Sequence, residues 1–229
     1  KAIRHLEIVV DRPVGDPDPN VLATLARLYL RARSYDRAIS LLTDLVAHES
    51  LWQEGPLLLV DAYAGAGRNK DAITFLEQVV PSAPRLLSTL ADMYERERRW
   101  KDAAKTYAQS MERAPRNTDL KSRYASALLN AGGRDDISKA RDVLRDIVST
   151  RDNDARALYL LSQSERRLGD AETAETIARR LIALQNGRSP WGFYALAEAL
   201  EERRDYQAVV DTLTPVIASY REQPGDHSF

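Results

Sequence analysis

The 229-residue chain contains no cysteine. Disulfides, thiolate metal ligands and a thiol nucleophile are thereby excluded, and the absence suits the cytosol and the bacterial periplasm equally. Glycine and proline are scarce, ten of each, and there is no alternating β-branched run of the kind that builds strands. No apolar stretch approaches the roughly 20 residues of a membrane span, and the opening residues are not expected to be a secretory leader. A surplus of one charge is missing too. Thirty-three basic residues face 34 acidic ones, a net charge of −1, far from the positive field that phosphate backbones select. Neither nucleic acid nor direct membrane insertion is expected.

What is present favours helix. Hydrophobic residues make up 44% of the chain, enough to bury a core, and Ala, Leu, Arg and Glu, all good helix formers, dominate. The basic residues are 27 Arg and only 6 Lys, a bias of GC-rich and here presumed bacterial genomes. The opening "KAIRHLEIVV" lacks Met and already stands in helical register, with Ile3, Leu6, Val9 and Val10 on one face. The expectation is a fragment or processed product of a longer protein.

Aligned on itself, the chain repeats with a period near 34 residues. The first copy carries Leu25-Ala26, Tyr29, Ala38, Leu42 and Leu45. The second has Leu59, Tyr63, Ala72, Leu76, Val79 and Pro84, and the third Leu90-Ala91, Tyr94, Ala103, Tyr107 and Pro115. The fourth has Tyr124-Ala125, Leu128, Ala140, Leu144 and Ile147, with three extra residues in "AGGRDDISKA" between its helices. The fifth has Leu161-Ser162, Gly169-Asp170, Ala174, Ala178 and Leu181, but Glu165 where an aromatic or Leu is usual. Leu196-Ala197, Leu200, Tyr206, Val209, Leu213 and Val216 complete the sixth.

This spacing resembles the tetratricopeptide repeat, a helix–turn–helix unit marked by Leu-Ala, Tyr, Gly, Ala, Phe and Pro at set offsets. The resemblance covers nearly the whole chain and implies an all-α fold, a right-handed α-solenoid of six repeats after an N-terminal half repeat. One domain over 1–229 is expected, with a half repeat at 1–12 and a linker at 13–18. Repeats follow at about 19–52, 53–83, 84–117, 118–154, 155–188 and 190–223. First helices are expected at 19–31, 54–65, 84–97, 118–131, 155–167 and 190–202, and second helices at 36–48, 70–80, 101–113, 137–149, 171–184 and 206–220. Asp18 and Ser189 are candidate N-caps. The connector "RPVGDPDPN" (12–20) is the longest and the most mobile expected, and Trp52 is assigned to packing between copies.

Chemistry-bearing patterns are weak. "GAGRNKD" (65–71) has the residues of a phosphate loop but no preceding strand and no Gly-Lys-Ser/Thr ending, so it is read as the turn within a repeat. "DPDPN" (16–20) lacks the Gly and Glu of a calcium loop. His5, His48 and His227 carry no metal-ligand spacing. Asp61 and Asp92 hold one position in adjacent first helices, but an open surface lacks the enclosure that prepares an acid–base pair. The charged run "YERERRWKDAAKTY" (94–107) is the join of a helix hairpin. No catalytic residue, metal or cofactor is assigned, and the chain is expected to be no enzyme.

The resemblance also implies a concave face lined by first helices, which grips a peptide or partner protein. Carried onto this chain it includes Arg27, Asp61, Asp92, Arg156, Tyr159, Gln163, Arg166, Trp191, Tyr194 and Glu198. The clamp by which some family members hold a chain-terminal carboxylate is absent, because Ala23, Arg27, Leu57 and Asp61 occupy its first positions. The expected function is a non-catalytic interaction scaffold. A docking or regulatory domain of a larger enzyme, such as a transferase or protease, is the alternative, with RNA binding by helical repeats behind it. An end repeat, apolar on its outer face unless capped, also offers a route to homo-oligomers.

Overall fold

The computed structural model describes residues 2–10, 18–48, 54–187 and 190–222. Trp52, Ser189, His227 and most of the first connector lie outside them, as does the side chain of His48. Among the described residues every regular element is helical, and the chain divides into two compact units, Lys1–Arg98 and Arg99–Phe229. The first holds α1 (Ala2–Val10), α2 (Pro19–Arg31), α3 (Tyr35–His48), α4 (Gly55–Gly65), α5 (Asn69–Val79) and α6 (Leu87–Arg96). The second holds α7 (Trp100–Arg113), α8 (Thr118–Ala131), α9 (Arg134–Thr150), α10 (Ala155–Leu168), α11 (Ala171–Leu184), α12 (Pro190–Glu202) and α13 (Tyr206–Glu222). No helix among the described residues is long and apolar enough to cross a membrane.

Short side chains punctuate the starts. Asp18 accepts a hydrogen bond from the Asn20 amide at 2.8 Å, and Asn117 accepts from the amides of Asp119 and Leu120 at 3.0 and 3.2 Å. Asp154 and Asp170 do the same for α10 and α11, accepting from Ala157 at 2.9 Å and Thr173 at 3.0 Å. Each cap satisfies amides that the first helical turn leaves without partners. Two starts differ from the sequence expectation. Pro84–Leu86 forms a 3-10 turn ahead of α6, and α9 begins at Arg134 rather than 137. The three inserted residues therefore lengthen α9 by about one turn instead of bulging between helices. Asp135 and Asp136 in that added turn favour it through the helix dipole.

Every turn within a repeat places the fifteenth residue of that repeat in the left-handed region. Glycine takes that place at Gly67, Gly132 and Gly169 (φ 72, 82 and 95°), but Arg33, Arg98 and Arg204 adopt it too (φ 55, 55 and 61°). A Cβ makes this conformation costly. At Arg33 and Arg204 the turn is thus imposed by the packing of the two helices it joins.

Within each unit, helices joined by such short turns pack antiparallel. In the first unit Leu25, Ala26, Tyr29, Ala38, Leu42 and Leu59 form the buried centre, and Ile3 and Leu6 of α1 close one end. In the second, Ala178, Ala195, Leu196 and Leu200 are joined by Tyr159, Ile182 and Val209. Ala26, Ala91 and Ala125 are fully buried, as close backbone approach requires.

One polar contact recurs where repeats meet. It links the eleventh residue of a repeat to the twenty-fifth of the one before, which is the twenty-eighth in the fourth repeat because of its three inserted residues. Tyr29 donates from its hydroxyl to Glu7 Oε1 and Tyr94 to Glu77 Oε1, both at 2.6 Å. In the fifth repeat the chemistry is exchanged. Arg145 donates from Nη2 (2.6 Å) and Nε (3.1 Å) to Glu165 Oε1, and Glu165 is only 2% exposed. The departure at Glu165 is thus compensated on the preceding helix. Where the link is truncated, a cleft opens instead. Thr43 and Tyr63 line one of about 490 Å³ in the first unit, and Ala108 and Leu128 one of about 350 Å³ in the second.

Only the Glu165 end of the Arg145–Glu165 pair is buried, Arg145 being 53% exposed, and removing Arg145 strands the buried carboxylate. Arg145→Ala is expected to lower the unfolding free energy by about 3 kcal/mol. The double change Glu165→Tyr with Arg145→Glu, which installs the other junctions' link, should stay within about 1 kcal/mol of the parent chain in urea denaturation. At the strained turns, Arg204→Gly should stabilise, and Gly169→Ala destabilise, by about 0.5–1 kcal/mol in the same assay.

Candidate partner-binding site

The second unit gathers seven of the ten expected site residues. Arg156, Tyr159, Gln163 and Arg166 recur at helical spacing along one face of α10, and Trp191, Tyr194 and Glu198 along the adjoining face of α12. α12 is seated closely on α11, the helix between α10 and α12 in sequence, because it carries Gly192. A Cβ there would stand 3.1 Å from the Ile182 amide nitrogen and 3.3 Å from its Cα, so only glycine lets α12 lie this close to α11.

That approach brings three aromatic rings into one shelf. Tyr159 and Trp191 pack edge to face with centroids 5.5 Å apart and planes at 66°, and Trp191 and Tyr194 do so at 6.4 Å and 68°. Such pairs contribute about 0.5–1.5 kcal/mol beyond their burial, which fixes ring directions without hiding the rings. Trp191 remains 55% and Tyr194 48% exposed. Beside the shelf lies a cleft of about 320 Å³, lined by Arg156, Tyr159, Leu160, Leu181, Gln185 and Trp191, with Ala155 at its edge.

Polar groups lock the shelf from the other side. Gln163 donates from Nε2 to the Tyr159 hydroxyl oxygen at 2.7 Å and to Glu198 Oε2 at 3.1 Å, which ties α10 to α12. Arg166 lies 3.8 Å from Glu198 and 3.9 Å from Glu202, and its Nε is buried without a hydrogen-bond partner among the described residues. Burial raises the pKa of the Tyr159 hydroxyl above its ordinary value, the Glu198 carboxylate adds to this, and Arg166 opposes it. Arg156 stands 3.7 Å from Asp119.

The remaining three expected residues lie in the first unit. Arg27 on α2 is ion-paired with Glu54, ahead of α4. Asp61 on α4 keeps an exposed surface, yet partial desolvation raises its carboxyl pKa, with the charge of Arg96 opposing. Asp92 on α6 is half-buried. Sequence reasoning missed Leu160, Leu181 and Gln185, which complete the cleft. Leu181 reads only as a core position, and Gln185 follows the end of α11 with no pattern to mark it. Gly192 and Glu202 were missed as well. Glycine inside an otherwise helical pattern was the available signal for Gly192.

Because the folded state holds the Tyr159 proton longer than the unfolded chain, its contribution is complete below the unfolded pKa of about 10 and is lost as pH rises through the folded one. Urea denaturation at pH 8 and pH 10.5 should therefore show a steeper fall for the parent chain than for Tyr159→Phe. Equal falls would refute the assignment.

Two family models, both described as tetratricopeptide repeat, match the chain, one over residues 23–86 and 130–189 and the other over 86–121. A solved tetratricopeptide repeat protein from Parabacteroides merdae is similar at a TM-score of 0.74 and 13% identity, over 87% of this chain and 79% of that one. MamA from Desulfovibrio magneticus RS-1 aligns at 0.63 and 16%, over 75% of this chain and 97% of that one. MamA of MSR-1 aligns at 0.60 and 20%, over 75% and 98%. At these identities the likeness is one of fold. No curated protein matches the chain in sequence. With helix pairs throughout the described residues and family matches over more than half its length, the chain belongs to the tetratricopeptide repeat family, an architecture for protein–protein interaction.

Proposed function

We propose that the chain is a non-catalytic scaffold that holds a peptide or partner protein on the concave face of its first helices, with the contact centred on Tyr159, Trp191 and Tyr194. The observation that carries this reading is the solvent-exposed aromatic shelf over a cleft of about 320 Å³. Large exposed aromatics held in fixed directions offer contact area at low entropic cost, and Trp, Tyr and Arg are the residues enriched at binding hot spots. Gln163, Arg166 and Glu198 hold the shelf in place, and Arg156 borders it. Arg27, Asp61 and Asp92 would form a second, charged stretch in the first unit.

The pairing of charges argues against a nucleic-acid surface. Arg156 stands near Asp119, Arg166 near Glu198 and Glu202, and Arg27 against Glu54. A phosphate backbone would meet a carboxylate beside each guanidinium. The same charges, screened by salt, suit a partner of mixed sign.

Partner capture by the immobilised chain tests the reading. Trp191→Ala and the double change Tyr159→Ala with Tyr194→Ala should each weaken capture at least tenfold, as loss of a hot-spot residue does, while the helical content seen by circular dichroism is kept. Capture unchanged by these substitutions would overturn the assignment of this face. Salt-sensitive retention of RNA in a filter assay would replace it with the nucleic-acid alternative.

A further inference from the structure

Two polar features of the aromatic cleft are left unused by the fold around it. Gln185 Oε1 is buried and has no hydrogen-bond partner among the described residues. Arg156 reaches only 3.7 Å from Asp119 Oδ1, beyond hydrogen-bond length, while Asp119 accepts its hydrogen bond from Arg123 Nε at 3.1 Å. Arg156 is also the one charged side chain among the described residues that line the cleft. The other walls are Leu160, Leu181 and the rings of Tyr159 and Trp191.

An apolar pocket, an acceptor awaiting a donor and a loosely engaged guanidinium together define what fits. Resting on the reading of this face as the partner-binding surface, we propose that the cleft takes an extended peptide segment in which a bulky apolar residue stands beside an acidic one. The apolar side chain fills the space between Trp191, Tyr159 and Leu181. A main-chain N–H of the segment donates to Gln185 Oε1, an acceptor costly to leave unpaired in a buried place. The neighbouring carboxylate meets Arg156 in a charge-assisted pair that Asp119 does not complete.

The surrounding charges set the direction of the segment. Away from Arg156, α12 presents Glu198 and Glu202, with Arg166 3.8 and 3.9 Å from them. An acid is favoured at the Arg156 end and disfavoured beyond Gln163. The occupant is an internal segment and not a chain terminus. A terminal carboxylate needs several converging donors, and only one guanidinium lines this cleft.

Fluorescein-labelled decapeptides of Gly and Ser with Leu-Glu, Leu-Lys or Ser-Glu at their centre, titrated by anisotropy to millimolar concentration, test this. The Leu-Glu peptide should bind at least tenfold more tightly than the other two and lose that binding with Trp191→Ala. Arg156→Glu, an exposed position that leaves the fold intact by circular dichroism, should invert the preference toward Leu-Lys. Binding that depends on Trp191 but treats Leu-Glu and Leu-Lys alike, or that Arg156→Glu does not invert, overturns the acidic partner and leaves the aromatic surface standing. If no peptide shows binding sensitive to Trp191→Ala, both the inference and the surface it rests on are overturned.

Discussion

The first, third and fifth repeats are each seated on the helix before them by one recurring side-chain contact, made between the eleventh residue of the repeat and a residue of the preceding second helix. Apolar packing supplies most of the stabilisation, but it is non-directional. A buried hydrogen bond is not. It is satisfied only at one separation and one register, so Tyr29 with Glu7, Tyr94 with Glu77 and Glu165 with Arg145 each fix how far one helix slides along its neighbour. α1 meets α2 through this same link, as the second helix of a repeat meets the next repeat.

The aromatic shelf inherits its geometry from that seating. Arg145 and Glu165 hold α10 from behind, while Ser162 donates from Oγ to the Ala174 carbonyl at 2.9 Å and ties α10 to α11. Gly192 then lets α12 settle on Ile182. Tyr159 and Trp191, 32 positions apart in the sequence, meet because three helices have been placed in succession. The surface is open, and its precision comes from the buried layer beneath it.

Much of this was legible in the residues. The small-residue and aromatic periods locate the helices closely, so that α2, α8 and α12 occupy the spans expected for them, because amphipathic spacing and caps act within a few residues of one another. The grouping of Tyr159, Gln163, Trp191, Tyr194 and Glu198 also follows from spacing once the repeat is recognised. What spacing could not supply are contacts between distant positions. Glu165 reads as a flaw until Arg145, twenty positions earlier, is seen to neutralise it. Gln185 reads as a helix end until its side-chain Oε1 is found buried. The insertion at 132–134 has two lengths of helix compatible with it, and the acidic first turn of α9 decides between them.

The junction contacts also differ from one another, and this bears on how such a chain can change over time. Recombination within a repetitive gene easily duplicates, deletes or exchanges whole units, and identical joints would accept any of these outcomes. Here Tyr29 and Tyr94 each meet a glutamate, Tyr63 shares a cleft with Thr43, Glu165 meets an arginine, and Leu128 shares a cleft with Ala108. A fifth unit moved behind the third would set Glu165 against Ala108 and bury a carboxylate with nothing to answer it. The place of the fifth unit in the order is thus written into its joint with the fourth, and a rearrangement that separates the two is opposed at the level of folding, before any partner is met.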